Sequence, residues 1–384
     1  MYTMDYKSLH ELFREETITD KYITLSHIEK LIANNKSSVV GHSVENKIIY
    51  KIEIGNGKTK VFMWSQMHGN ESTTTKALFD FINFLNSDES LALEFKEYFT
   101  FCMLPMVNPD GAEKYTRENA NGVDLNRDSQ ALTQPESKVL RKVFEDFKPD
   151  YCYNLHDQRT IFGAGDKGNP ATVSFLAPAY NENRDYNTTR LKAVEIIVAM
   201  NDVLQLYIPN QVGRFDDSFN INCIGDTFQN LGVPTILFEA GFYPNDYVRE
   251  ITRKYIFISL ISGLKHIYEN DIVSNKIEDY LNIPQNKVNF FDIVYKNVKI
   301  NYDNLEKSIN FAAQYIEKPN DGKIDFEAVI AQVDNLDNYF AHHSIDAQGK
   351  TFKSSQGSIP NIGDKANFYL GNDIEIVNGL IKTQ

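Results

Sequence analysis

The sequence predicts an α/β fold, in which a mixed and mostly parallel sheet carries helices on both faces, followed by a small β-rich domain. Between about residues 47 and 268, apolar runs of strand character alternate with segments of helical periodicity, which is the pattern of a sheet layered between helices. Several of these runs are apolar almost throughout, as strands covered on both faces must be. After about residue 271 the helical periodicity fades, and Asn, Asp, Gly and Lys separate the remaining strand-like runs.

These elements divide the chain into three segments. Residues 1–45 are predicted as a polar helical segment that packs on a domain of residues 46–275, and residues 280–384 as a β-rich domain of unknown role. The central strands, which are apolar or alternate with period two, are expected at 47–54, 60–65, 98–107, 150–155, 172–176 and 234–238. The central helices, in which apolar residues return every three or four positions, are expected at 71–85, 135–147, 188–206 and 248–268. The C-terminal strands are expected at 290–300, 309–316, 326–333 and 368–381.

Two short motifs predict turns between these elements. Asn56-Gly57 lies between the first two central strands and is typical of a β-hairpin. Asn108-Pro-Asp-Gly111 closes the third strand and is typical of a tight turn.

The composition excludes several classes of partner. With 39 Lys and Arg against 52 Asp and Glu, the 384-residue chain has a formal charge of −13, which disfavours nucleic acids and anionic membranes. The first residues contain no apolar segment followed by small residues, and no run reaches the ~18–20 apolar residues of a membrane span. Three cysteines, Cys102, Cys152 and Cys223, are too few for a disulfide framework. We therefore expect a cytoplasmic protein, and the sequence leaves its oligomeric state open.

Polar residues follow four of the central strands at the point where each strand ends. They are His68, Asn108, His156 and Glu239. Since ligands of open α/β sheets bind outside the carboxyl ends of the strands, these residues predict a site at one edge of the sheet.

The histidines and a nearby glutamate have the composition of a catalytic zinc site. In His68-Gly-Asn-Glu71 a two-residue spacer lets both side chains converge from one turn, and His156 adds a second imidazole. Two His and one Glu leave a fourth position for water, whereas a closed structural site needs a fourth protein ligand. A single His after an apolar run is more often a satisfied core residue, so the prediction depends on all three residues together.

Glu239 and a long polar loop complete the candidate chemistry. A carboxylate directly after an apolar strand is either part of a structural salt bridge or a general base acting on a metal-activated water. The loop of residues 115–128 contains Arg117 and Arg127. It is either a solvated surface loop or an anion-recognition loop, because the guanidinium group is a permanent cation that suits carboxylates and oxyanions.

The motifs occur together in the order of a known family. His68-Gly-Asn-Glu71, Asn108-Pro-Asp-Gly111, Gly122-Val-Asp-Leu-Asn-Arg127, the single His156 and Phe238-Glu239 resemble the zinc carboxypeptidases typified by carboxypeptidase A, over roughly residues 45–270. The resemblance implies a carboxypeptidase-like fold in the domain of residues 46–275.

The resemblance also implies a role for each matched residue. His68, Glu71 and His156 match the ligands of one zinc ion, and Glu239 matches the catalytic glutamate. Arg117 matches the arginine that stabilises the tetrahedral oxyanion. Asn126 and Arg127 match the pair that binds the free carboxylate of a peptide or small amide substrate. The implied reaction is release of the C-terminal residue of a peptide. An alternative is deacylation of N-acyl amino acids on the same scaffold, and a third possibility is a binding protein without catalysis.

The sequence departs from the family pattern around the specificity pocket. No tyrosine lies between Tyr207 and Tyr243, so the nearest aromatic residue to the usual loop tyrosine is Phe219. Gln158 stands where an aromatic residue commonly follows the third zinc ligand. Arg214, Phe219 and Asp226 are expected to border the pocket, where Asp226 either selects a basic side chain or caps the loop.

Overall fold

The computed structural model describes residues 5–270, 273–302, 305–355 and 357–382. In it the chain divides into two units: unit 1 contains residues 1–158 and 171–286, and unit 2 contains residues 159–170 and 287–384. Nothing in the sequence signalled that residues 159–170, which lie within the predicted central domain, belong with the C-terminal strands.

Helices and strands alternate through unit 1, and strands predominate in unit 2. The helices are α1 Tyr6–Phe13, α2 Leu25–Ala33, α3 Thr73–Leu85, α4 Ser90–Tyr98, α5 Pro109–Lys114, α6 Pro135–Phe147, α7 Thr188–Leu204, α8 Ile224–Asn230, α9 Glu250–Glu269 and α10 Ile277–Asn282. The first nine strands are β1 Ser37–His42, β2 Ile48–Gly55, β3 Thr59–Ser65, β4 Phe99–Leu104, β5 Tyr151–Asp157, β6 Phe162–Ala164, β7 Val173–Leu176, β8 Val212–Arg214 and β9 Thr235–Ala240. The others are β10 Asn286–Val288, β11 Phe290–Tyr302, β12 Leu305–Asn320, β13 Lys323–Val333, β14 Phe340–Asp346, β15 Phe352–Lys353, β16 Phe368–Leu370, β17 Ile374–Val377 and β18 Leu380–Ile381.

An eight-stranded mixed sheet forms the centre of unit 1, in the order β1-β2-β4-β3-β5-β9-β7-β8. Strands β4, β3, β5 and β9 run parallel to one another, and antiparallel pairings join β2 to β4 and β7 to β9. Apolar residues of α3, α7 and α9 pack on one face, and those of α6 and α8 pack on the other. The predicted α/β fold, with a mixed sheet, helices on both faces and a β-rich C-terminal region, is confirmed.

Two turn predictions are wrong, one because of a distant strand and one because of a local helix cap. Strands β2 and β3 flank Asn56-Gly57 but do not pair, because β4 lies between them in the sheet. Asn108 begins helix α5 instead of a turn, since its side chain accepts the backbone N–H of Gly111 at 2.9 Å. The N-terminal segment also contains a strand, because β1 pairs with β2 at the edge of the sheet.

Unit 2 contains two four-stranded sheets, β13-β12-β11-β14 and β15-β16-β17-β18, and strand β6 pairs with β10 in a separate two-stranded sheet. Their aromatic residues form a core in which Phe311 contacts Tyr295 and Phe368. Residues 159–170 are joined to these strands by two hydrogen bonds of Thr160. Its hydroxyl oxygen accepts a hydrogen bond from Gln314 Nε2 at 2.7 Å, and its carbonyl oxygen is hydrogen-bonded to His342 Nε2 at 2.7 Å. The segment predicted as one strand at 368–381 forms the three short strands β16, β17 and β18.

No helix in the described part of the chain is both long enough and apolar enough to cross a membrane.

Candidate active site and metal centre

The candidate site lies at the carboxyl ends of the central parallel strands. His68 follows β3 by three residues, and Glu71 precedes the first turn of α3. His156 is near the end of β5, and Glu239 is near the end of β9, where the parallel register pairs the two residues directly. Side chains of paired residues in parallel strands lie on the same face, so the sheet itself places the glutamate beside the histidine.

His68, Glu71 and His156 converge on one point. The two Glu71 oxygens lie 2.8 Å from His68 Nδ1 and 2.8 Å from His156 Nδ1, and the two Nδ1 atoms are 3.1 Å apart. All three residues are buried, and one ligand atom of each lies within 4.8 Å of the others. Two imidazole nitrogens and a carboxylate directed at the same point are a donor set that suits zinc. The cluster therefore fits a metal ion.

Asp124 orients the first histidine, and it is a residue that sequence reasoning missed. Its Oδ1 lies 3.0 Å from His68 Nε2, so it accepts the Nε2 proton and leaves Nδ1 on the side of Glu71. Its Oδ2 accepts Arg117 Nε at 3.1 Å. Burial raises the pKa of Asp124, but hydrogen bonding to His68 and the charges of His68 and Arg117 hold it well below its usual value. The only sequence signal was its position one residue before Leu125-Asn-Arg127.

Asp157 fixes the start of α3 relative to the cluster of His68, Glu71 and His156. Its carboxylate accepts the backbone N–H groups of Thr73 at 2.9 Å and Thr74 at 3.2 Å. Its own backbone N–H donates to Glu71 Oε2 at 3.2 Å. Asp157 is therefore hydrogen-bonded both to Glu71 and to the start of the helix that follows it. Strand β5 thus fixes the position of the Glu71 carboxylate and also contains His156.

Arg117 lies beside the cluster of His68, Glu71 and His156, and part of its side chain is exposed to solvent. Its Nη1 donates to Glu71 Oε1 at 3.1 Å, and 40% of its side-chain surface is exposed. The guanidinium group can therefore reach a molecule bound above the cluster while its Nε remains fixed to Asp124.

The predicted carboxylate-binding pair lies on the next turn of the same loop. Asn126 Oδ1 accepts the backbone N–H of Ile224 at 3.1 Å, which holds the start of α8. Arg127 is exposed, and its Nη1 donates to the backbone carbonyl of Asn126 at 3.0 Å. Both residues are thus on the loop of residues 115–128, which also contains Arg117.

Glu239 has a carboxyl group that the protein leaves unpaired. Its Oε2 is buried and has no hydrogen-bond partner in the described part of the chain. Burial raises its pKa well above 4.5, the charges of Glu71 and Asp157 raise it further, and Arg117 opposes the shift. A carboxylate that takes up a proton this readily is suited to general-base work. In the parts of the chain that are described, Glu239 forms no salt bridge.

The predicted specificity residues are distributed over a wider region. Asp226 is buried in α8, where it accepts the backbone N–H of Asn220 at 3.3 Å, and burial raises its pKa to about 7. Arg214 is in edge strand β8, with its guanidinium carbon 5.3 Å from the ring centroid of Tyr280. Phe219 is half-buried between β8 and α8. The described hydrogen bonds and ring contacts do not join Arg214 or Phe219 to His68, Glu71 or His156.

Gln158 has a structural function in unit 1. Its Nε2 donates to the carbonyl of Ala171 at 2.7 Å and to Ser174 Oγ at 3.1 Å, and its Oε1 accepts Asn286 Nδ2 at 2.7 Å. The side chain is buried. These bonds fix the chain on either side of residues 159–170, so this position offers no aromatic surface to a substrate.

Comparisons with known proteins agree with this fold. Residues 25–162 match the family model described as zinc carboxypeptidase. Carboxypeptidase 2 of Trichophyton rubrum is 26% identical over 100 residues, which are 26% of this chain and 19% of that protein. The chain thus matches only about a fifth of the length of such curated relatives.

Solved structures show the same fold. A metallo-carboxypeptidase from Burkholderia cenocepacia aligns with a TM-score of 0.51 at 16% identity, covering 63% of this chain and 67% of that one. Thrombin activatable fibrinolysis inhibitor aligns with a TM-score of 0.52 at 16% identity, covering 69% and 81%. The predicted resemblance to the zinc carboxypeptidase family is confirmed.

Proposed function

We propose that this protein is a zinc-dependent carboxypeptidase that releases the C-terminal residue of a peptide. The observation that carries the proposal is the convergence of His68, Glu71 and His156 beside the unpaired carboxyl group of Glu239. Metal-binding side chains next to a carboxylate that can accept a proton are the groups that metal-assisted hydrolysis of an amide bond requires.

His68 Nδ1, His156 Nδ1 and the Glu71 carboxylate would hold one zinc ion. Bound zinc supplies Lewis acidity, which lowers the pKa of water and polarises a carbonyl group. Asp124 keeps His68 in the tautomer with a free Nδ1 lone pair. Asp157 keeps the Glu71 carboxylate directed at His156 through its backbone N–H.

Glu239 and Arg117 perform the proton and charge steps. Glu239 accepts the proton of the attacking water, for which its unpaired oxygen and raised pKa suit it, and then gives the proton to the leaving amine nitrogen. Arg117 donates hydrogen bonds to the oxyanion that develops on the scissile carbonyl oxygen. Asn126 and Arg127 bind the free carboxylate of the substrate, which restricts cleavage to the last peptide bond.

The test is mass spectrometry of matched peptides incubated with the zinc-loaded protein. Each peptide is supplied with a free C-terminus and as its C-terminal amide, and N-acyl amino acids are included. Loss of one residue from free C-termini only is the expected result. Cleavage confined to N-acyl amino acids would support the deacylase alternative, and no cleavage of any compound would refute a hydrolytic function.

A Glu239→Gln variant separates catalysis from metal binding. Since Glu239 is not in the His–Glu–His cluster, the variant is expected to bind zinc with unchanged stoichiometry and to lose turnover. Retained turnover would remove Glu239 from the mechanism. The matched control is Glu145→Gln, which changes an exposed glutamate of α6 and should leave both properties unchanged.

A further inference from the structure

Arg249 is a buried cation that forms no salt bridge among the described residues. It is 2% exposed and immediately precedes α9. Its Nη1 donates to the carbonyl oxygen of Ala240 at 3.2 Å, and its Nη2 donates to that of Gln158 at 3.0 Å. The guanidinium carbon lies 6.0 Å from the ring centroid of Phe242, and Nε has no hydrogen-bond partner in the described part of the chain. Because a buried charge without an opposite charge is costly, stability alone does not explain this arrangement.

The two carbonyl groups belong to adjacent strands at the candidate site. Ala240 directly follows Glu239 on β9, and Gln158 lies two residues after His156, just beyond the end of β5. The parallel pairing of the two strands ends at Ala240. Arg249 therefore bridges β5 and β9 at the point where both strands leave the sheet.

The backbone at Arg249 is held from both sides in an unusual conformation. Its φ of 67° and ψ of 26° are in the left-handed region, which is unfavourable for residues other than glycine. The carbonyl oxygen of Val248 accepts a hydrogen bond from Lys76 Nζ of α3 at 3.0 Å, and the backbone N–H of Glu250 donates to Asp246 Oδ1 at 2.9 Å. Such conformations persist where the surroundings fix them, and they cluster at functional sites. The Arg249 side chain thus extends from a fixed point.

The position of the Glu239 carboxyl group depends on the backbone of β9. Its Oε2 has no hydrogen-bond partner among the described residues, whereas His156 Nδ1 lies 2.8 Å from Glu71 Oε2. Strand β5 is also joined to the start of α3 through the Asp157 carboxylate. A displacement at the end of β9 would therefore move Glu239 away from the candidate zinc ligands, which have attachments of their own.

We propose that Arg249 is a positioning residue, whose guanidinium group clamps the carboxyl ends of β5 and β9 and so holds Glu239 beside the candidate zinc ligands. Its consequence for catalysis rests on the proposed carboxypeptidase function. The planar guanidinium group presents its donors in a fixed fork and can bond to both carbonyl groups at once, which a lysine ammonium on a flexible stem does less well. A misplacement of about 1 Å at a reacting group can lower a rate by about 100-fold.

The first test is the steady-state kinetics of Arg249→Met, which replaces the guanidinium group by an apolar side chain. With a peptide substrate and the zinc-loaded protein, kcat is expected to fall by about 10–100-fold and KM to change by less than about twofold, because the clamp acts on Glu239 and not on substrate binding. Arg249→Lys keeps the charge and one donor group, so it should recover part of the lost kcat.

The matched control is Arg141→Met on α6. Arg141 Nη2 also donates to a backbone carbonyl, that of Ser129 at 2.9 Å. Its guanidinium carbon lies 5.9 Å from the ring centroid of Phe228, and its Nε also has no hydrogen-bond partner in the described part of the chain. Its described bonds do not involve β5 or β9, so this variant is expected to keep the wild-type kcat. An equal loss of kcat in both methionine variants would overturn the proposal.

Hydrogen exchange measured by mass spectrometry tests the clamp without turnover. In the zinc-free protein, amides of residues 153–158 and 236–241 should exchange about tenfold faster in Arg249→Met than in the wild type, since hydrogen bonds to a charged donor are lost. Arg141→Met should show wild-type exchange there. If Arg249→Met does not fold, Arg249→Lys is measured in the same way and should show a smaller increase.

The outcomes separate this proposal from the proposed function. Wild-type exchange at residues 153–158 and 236–241 in the Arg249 variants would refute the clamp, whether or not peptides are hydrolysed. Faster exchange with an unchanged kcat would refute the positioning role. A wild-type protein that hydrolyses no peptide, but whose exchange at these residues depends on Arg249, would refute only the carboxypeptidase function.

Discussion

Replacing Asp157 by alanine should weaken both the fold of unit 1 and its affinity for zinc. The substitution removes the acceptors of two backbone N–H groups, those of Thr73 and Thr74, which are fully buried at the start of α3. Loss of a helix cap costs about 0.5–2 kcal/mol, and each buried donor left unpaired costs about 1–3 kcal/mol. Because water can reach the half-buried position of Asp157, we expect a loss of about 2–4 kcal/mol.

The effect on zinc follows from the position of Glu71. The carboxylate that Asp157 supplies holds the helix turn immediately after Glu71, and residues that orient metal ligands typically contribute 10–100-fold to affinity. Asp157→Ala is therefore expected to weaken zinc binding by about 10–100-fold. Asp157→Asn keeps one carbonyl acceptor and should show a smaller loss in both measurements.

One buried fluorophore makes the stability measurement specific to unit 1. Trp64 is the single tryptophan of the chain and is fully buried in β3, so its emission during urea unfolding follows this unit. Zinc affinity is measured by competition with a chromophoric chelator. Asp146→Ala serves as the control, because its ion pair with Lys142 is exposed on α6 and contributes less than about 0.5 kcal/mol.

An Asp157→Ala variant that unfolds at the urea concentration of the control and binds zinc with wild-type affinity would show that Asp157 neither caps α3 nor positions Glu71. A loss of stability without a loss of affinity would limit the residue to capping α3.

Three further predictions concern the same region. Asp124→Asn removes the charge that faces His68 Nε2 and should weaken zinc binding by about 10–100-fold in the chelator competition assay. Chelation of zinc should lower the Tm of the wild-type protein but not that of His156→Ala, since free zinc at 100 times its Kd stabilises the bound form by about 2.7 kcal/mol. Burial raises the pKa of Asp226 from 3.8 to about 7, so the folded protein retains a proton that the unfolded chain loses. The stability due to this proton is complete below about pH 4 and is lost as the pH rises through 7. Over that interval the unfolding free energy should fall by up to about 4 kcal/mol more in the wild type than in Asp226→Asn.

Each of these predictions has a clear contrary result. Wild-type zinc affinity in Asp124→Asn would mean that His68 needs no orienting partner. Equal Tm shifts on chelation in the wild type and in His156→Ala would mean that zinc binds elsewhere. Parallel pH profiles for the wild type and Asp226→Asn would place the Asp226 carboxyl group in contact with water.

The fold was predictable because strand and helix periods are local properties of the chain. Helix α6 was expected at 135–147 and occurs at Pro135–Phe147. Strand order is not local, and for this reason the insertion of β4 between β2 and β3 contradicted the hairpin expected at Asn56-Gly57. The association of residues 159–170 with the C-terminal strands depends on contacts such as Thr160 with Gln314, which no local pattern contains.

The candidate metal ligands were predictable for a related reason. Parallel strands place their carboxyl ends at one edge of the sheet, so His156 and Glu239 could be expected together from the positions of their strands alone. Asp124 and Asp157 could not be assigned in this way, because their contacts depend on how a loop and a helix start fold around His68 and Glu71.

A charged residue near a candidate site is therefore evidence of function only after its ion-pair and hydrogen-bond partners in the fold are known. Asp217 lies between Arg214 and Phe219, two residues expected to border the specificity pocket. It pairs with the buried Arg190 at 2.6 Å, so its charge is balanced within the fold. Glu239 is also an acidic residue near the site, yet its Oε2 is buried without a hydrogen-bond partner in the described part of the chain. A buried polar atom without a partner lowers stability, so its presence in a folded protein needs a physical explanation. By this criterion Glu239 is a stronger candidate for a functional residue than the charged residues between β8 and α8.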